Sequence, residues 1–158
     1  SLDDGFLMEW NAAFSSQREF YFGDQEEMGL GVRVATPVAE KNGGLLRDSK
    51  GRKKAKRIWS NAARWCDYRG TIGEQTVGMS LLCHPENFRS SWMHARDYGF
   101  MAANPFGRKA MHKGEESKVI VKPGESLHLR FGVWIYETEP DAEIDIEAAY
   151  RKYIELCD

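Results

Sequence analysis

Ser126-Leu127-His128-Leu129-Arg130-Phe131-Gly132-Val133-Trp134-Ile135-Tyr136 alternates along its whole length. On a strand, Leu127, Leu129, Phe131, Val133 and Ile135 fall on one face, and His128, Arg130, Trp134 and Tyr136 on the other. The second face is unusually aromatic and basic for one that meets only solvent. Just upstream, Lys122-Pro123-Gly124-Glu125 spells a turn, because Pro presets the first turn dihedral and Gly supplies a positive φ. Val119-Ile120-Val121 before it reads as a short apolar strand.

The same period extends through the chain. Leu30-Gly31-Val32-Arg33-Val34-Ala35 alternates, and Pro37 ends it, since proline cannot continue a ladder. Further strands are expected over 7–15, 18–22, 64–69, 76–83 and 92–102, separated by turn residues at short spacing. That pattern predicts an antiparallel β-sandwich or barrel. Ile146, Ala149, Tyr150, Tyr153, Ile154 and Cys157 recur at helical spacing behind Asp145, which can cap them, so 145–156 reads as one amphipathic helix laid against a sheet. With no repeat, linker or low-complexity tract, residues 1–158 are expected to form a single mainly β domain.

Composition narrows the partners. The 158 residues are 42% hydrophobic and 29% charged, with a net charge of −2, which argues against a generic polyanion binder. No apolar run approaches the roughly 18–20 residues of a membrane span. Ser1-Leu2-Asp3-Asp4-Gly5 lacks the basic-then-apolar pattern of a leader, and the compartment stays open, with the periplasm or the extracellular space in view for a longer form. The basic run Lys50-Gly51-Arg52-Lys53-Lys54-Ala55-Lys56-Arg57 reads as a solvated, mobile loop, and no nucleic-acid motif accompanies it. Cys66, Cys83 and Cys157 form no Cys-x-x-Cys and read as buried thiols, with a Cys66–Cys83 bridge open only to an exported protein.

Three clusters could carry chemistry. Gly23-Asp24-Gln25-Glu26-Glu27-Met28-Gly29 sets three carboxylates before a strand, where paired acids can divide acid and base roles. Arg64-Trp65-Cys66-Asp67-Tyr68 places Trp65 and Asp67 on one face, an aromatic platform beside a hydroxyl-accepting carboxylate. Ser91-Trp92-Met93-His94-Ala95-Arg96-Asp97-Tyr98-Gly99-Phe100, closing on Asn104-Pro105-Phe106-Gly107, carries more polar groups than a core segment needs. His84, which precedes Pro85, could share a mouth of the sheet with His94 and, with a carboxylate, form a metal site.

These segments, with Gly43-Gly44 and Asp48-Ser49-Lys50-Gly51 in order between them, resemble the PmoA-like family, a bacterial family of unknown function that has been labelled methane oxygenase. The resemblance runs from about Arg18 to Tyr136 and covers the carboxy-terminal portion of a longer architecture, whose amino-terminal part carries a His-Pro-His-His-like motif. It implies a β-rich, carbohydrate-related protein, with this chain as half of a mutarotase-like supersandwich. The expected chemistry is a sugar-acting hydrolase, lyase or epimerase. The alternatives are a noncatalytic carbohydrate-binding or structural domain and, less favoured, the metal-dependent oxygenase of the label. His94, Asp97, Glu27 and Asp67 are the expected catalytic groups, with Glu26 at the rim. Trp65, Trp92, Arg96, Tyr98, Asn104 and Arg64 are the expected substrate contacts. No metal or cofactor is assigned. The expected partner is a small molecule or oligosaccharide, with neither nucleic acid nor membrane, and a homodimer where a strand edge stays unpaired.

Overall fold

A computed structural model describes residues 5–140 and 142–157. Among the described residues eleven strands form three antiparallel sheets. β1 (Gly5–Ser15), β4 (Leu45–Asp48), β6 (Trp65–Ile72), β7 (Gln75–Cys83) and β11 (Ser126–Thr138) make a five-stranded sheet in the order β1-β11-β7-β6-β4. β3 (Leu30–Arg33), β5 (Asn61–Ala62), β8 (Trp92–Ala95) and β9 (Phe100–Asn104) make a four-stranded sheet in the order β3-β9-β8-β5. β2 (Phe20–Phe22) pairs with β10 (Val119–Val121) in a separate ribbon.

The two larger sheets close on one apolar core, the sandwich that the alternation predicts. Leu129, Phe131 and Val133 of β11 enter it with Leu81, Cys66 and Tyr68, against Met93, Ala95, Met101 and Ala103 of the smaller sheet. The other face of β11 is covered at Trp134 and Tyr136, while His128 stays exposed. Trp134 and Tyr136 join Trp65 and Leu82 in a second apolar layer, covered by Ile146, Ala149, Tyr150 and Tyr153 of α2 (Ile146–Cys157). This accounts for the aromatic character of that face. Asp145 caps α2 as expected, its Oδ1 accepting from Ala148 N at 2.9 Å.

Two local readings change. The expected strand over 92–102 is broken into β8 and β9 by a turn at Arg96-Asp97-Tyr98-Gly99. Gly99 takes a φ of 97°, and its N–H closes back on the Arg96 carbonyl at 3.3 Å. The basic run is not a free loop. Arg52 pairs with the buried Asp48 at 2.6 Å, Lys54 N donates to Leu46 O at 3.0 Å, and Ala55–Ile58 form the short helix α1. Cys66, Cys83 and Cys157 are all free thiols. Among the described residues no helix is long and apolar enough to cross a membrane.

Candidate functional site

The site grows from the outer face of the four-stranded sheet. Met93 and Ala95 of β8 point into the core, so alternation turns Trp92 and His94 outward. His94 pairs across with Ala102, which in turn pairs with Gly31 of β3. These two small residues leave room for rings. The Phe100 ring lies edge-on to the imidazole, 5.5 Å between centroids.

The acidic loop 23–29 is brought onto this face by Asn104. Its Nδ2 donates to the carbonyls of Gln25 and Glu26 at 2.8 and 2.9 Å, and its Oδ1 accepts from Phe106 N and Gly107 N at 2.8 and 2.9 Å. The approach is too close for side chains at two glycines: a Cβ at Gly29 would lie 1.8 Å from Ala103 O, and one at Gly107 2.1 Å from Gln25 O. Asp24 anchors the far end by accepting from the backbone N–H groups of Lys109, Ala110 and Ser117. Burial works to raise its carboxyl, but those three donors together with Arg108 bring it below the ordinary value.

The result is an imidazole flanked by two acids. His94 is 0% exposed, with Nδ1 3.4 Å from Glu26 Oε1 and Nε2 3.6 Å from Glu27 Oε1. Burial, then the Arg96 charge, hold the ring below its ordinary value against the pull of Glu26 and Glu27. Glu26 Oε1 also accepts from Trp59 Nε1 at 2.8 Å and from Arg96 Nη2 at 2.5 Å. The Arg96 guanidinium lies 5.9 Å from the Trp59 ring centroid, and His112 meets that indole edge-on at 5.2 Å.

Trp59 and Arg96 also line an open cleft of about 370 Å³, with Glu40, Lys56 and Asp97. Glu40 fixes one wall by accepting from Ala55 N at 2.6 Å. The Tyr68 hydroxyl fixes the turn by donating to Arg96 O at 2.5 Å. Both signs of charge surround one indole.

The ten expected site residues divide. Arg96 and Asp97 line this cleft, while His94 and Glu27 lie behind it, joined to it through Glu26, and Asn104 positions the acids. Asp67 and Trp65 lie on the opposite side of the molecule. Asp67 is fully buried under the chain leading into α2. It accepts from Ser80 at 2.8 Å and from the Tyr136 hydroxyl at 3.0 Å, and Arg47, 3.3 Å away, also donates to Ile144 O. Burial raises its carboxyl, with Ser80, Arg47 and Tyr136 partly offsetting. Trp65 Nε1 donates to Glu147 of α2 at 3.0 Å, and Arg64 pairs with the same carboxylate at 3.1 Å while lying over the Tyr150 ring. All three fasten the helix. Trp92 lies under Arg89, and Tyr98 under Arg33, at 5.5 and 5.1 Å.

His84 and His94 do not share a mouth. The His84 ring packs edge-on against Tyr153 of α2, so the two-histidine metal arrangement does not form. Among the described residues no group of three or more His, Cys, Asp or Glu is arranged to hold a metal ion. Trp59, Glu40 and Lys56 escaped the sequence reading. Trp59 and Lys56 lie within or just after the basic run, whose charge points to solvent and carries no signal for a cleft.

The architecture is an antiparallel sandwich with a helix on its outer face and a polar cleft at the β8–β9 turn. The chain belongs to a family of unknown function, DUF6807, whose model matches residues 1–151. No curated protein and no solved structure matches it.

Proposed function

We propose that the protein binds a sugar unit in the cleft beside Trp59. One observation carries the reading: a single indole faces an open volume of about 370 Å³ whose other polar walls are Glu40, Lys56, Arg96 and Asp97. The apolar face of a pyranose stacks on an aromatic ring, and its hydroxyls exchange hydrogen bonds with carboxylates and cations around it. Binding without turnover is the better-supported form, because His94 is shut away from the cleft behind Glu26 and Arg96.

A second reading, a sugar-acting hydrolase, lyase or epimerase, is favoured by one contact. Glu26 lies between His94 and Arg96, so a carboxylate that can exchange a proton with the imidazole stands directly behind the guanidinium that would neutralise charge on a ligand oxygen. A glycan array combined with thermal shift separates the two. Binding that survives Glu26→Gln with no product formed supports the binding protein. Turnover lost in Glu26→Gln supports the enzyme. Silence of the native protein across neutral and acidic sugars rejects both.

A further inference from the structure

We propose that two copies of this chain pair through β1, edge to edge, across a two-fold axis at Trp10, joining two five-stranded sheets into one. β1 is an outer strand of eleven residues, and none of them is buried. Among the described residues no hydrogen bond beyond the ladder with β11 reaches the backbone of Gly5–Ser15. A bare edge of that length is a template for another strand, and proteins usually blunt such edges with lysine, proline, a bulge or a covering loop. The other edges of this sandwich are protected. Lys54 N→Leu46 O and Asp48 N→Arg52 O lay the basic run along β4, while β3 and β5 are only four and two residues long. β1 has no lysine and no proline, its register with β11 runs without a bulge, and Glu9 is its single charge.

The apolar surface continues past the strand. Phe6 is 78% and Met8 50% exposed. Met8 and Trp10 line a groove of about 420 Å³ with Leu30, Val32, Met79 and Val133, where the core reaches the surface between the two sheets. A second copy seated on β1 covers this mouth.

Strand geometry and charge together choose the register. Residues whose N–H and C=O point to the free edge share one parity, so paired residues in a symmetric antiparallel contact have numbers that sum to an even value. A sum of 18 sets Glu9 against Glu9 of the second copy, a like-charge pair. A sum of 22 leaves Gly5 and Phe6 beyond the ladder. A sum of 20 pairs all eleven residues, sets Phe6 against Phe14, and places Glu9 opposite the neutral Asn11. Eleven strand residues with the groove fall short of the roughly 20–30 residues a side of a standard interface, so the dimer is reversible and concentration-dependent.

Sedimentation equilibrium from low- to high-micromolar protein reads the association. The native chain is expected to move from monomer to dimer. Asn11→Glu, on an exposed position, sets two like-charge pairs across the axis and weakens the dimer roughly three- to tenfold. Adding Glu9→Lys to Asn11→Glu turns both pairs into opposite charges and restores association. The register centred on Trp10 sets both opposite-charge pairs directly across from each other and gives full rescue, whereas a sum of 22 leaves the lysine introduced at position 9 only diagonal to the glutamate introduced at position 11 and gives a partial one. A monomer at every concentration overturns the proposal, and protected β1 amides in such a monomer would assign the edge to another part of the chain. Association unmoved by Asn11→Glu, or weakened without rescue, also overturns it.

Discussion

Asn104 Nδ2 donates to the carbonyl of Glu26 at 2.9 Å, across 78 positions of sequence. Through this bond the second strand of a hairpin holds the acidic loop against the first. His94 of β8 therefore finds a carboxylate on each side, although nothing local to either segment requires it. The amide is fully buried and all of its hydrogen-bonding groups are engaged.

Asn104→Ala leaves two carbonyls and two backbone N–H groups without their buried partner. The expected loss is about 3 kcal/mol, read from urea unfolding. In the fraction still folded, sugar binding is expected to weaken, because Glu26 no longer holds Arg96 and Trp59 in place.

Stability is expected to fall in mild acid because of His94. Burial first, then Arg96, keep the folded imidazole below its ordinary value of 6.5, so the unfolded chain takes up a proton that the folded chain refuses. The stabilisation is present above pH 6.5 and is lost as pH drops toward the folded value. Urea midpoints taken from about pH 7 to about pH 5 should decline in the native protein and flatten in His94→Gln. An equal decline in both would assign the slope to other groups.

Asp67→Ala tests the division between support and site. It strips Arg47, Ser80 and Tyr136 of their shared buried acceptor, and the expected cost is about 3 to 5 kcal/mol. Because that cluster fastens the chain entering α2 on the far side of the sandwich, ligand affinity in the folded fraction should not change. A selective loss of affinity at unchanged stability would return Asp67 to the site.

Gly29→Ala probes the loop itself. At a φ of 86°, with Ala103 O 1.8 Å from the added methyl carbon, the change must displace the loop, and a loss above about 1 kcal/mol is expected in thermal unfolding. Gly43→Ala, also at positive φ but with open space around it, should cost less.

What could be read in advance follows from the range of each signal. β11 was legible because its alternation is uninterrupted, and α2 because its apolar spacing begins behind a capping aspartate. The β8–β9 turn was masked: Asp97-Tyr98-Gly99 has turn chemistry, yet it sits in a run of aromatic and β-compatible residues that reads as one strand. Alternation correctly put Trp65 and Asp67 on one face of β6. It does not say which sheet face receives a helix and which meets the facing sheet, so an inter-element brace looked like a sugar platform. The pairing of Glu27 with His94 was within reach as chemistry, whereas its agent, Asn104, looked like a ligand contact. Trp59 gave no signal, since its role depends on β4, α1 and the β8–β9 turn meeting in space.

The most direct measurement is a titration of neutral and acidic saccharides, followed by saturation-transfer NMR, on the native chain and on Trp59→Ala with its folding verified by thermal unfolding. The native protein is expected to bind a saccharide, with the indole variant losing at least most of that affinity while remaining folded. Equal binding by both proteins, or none by the native chain, would contradict the assignment of the cleft.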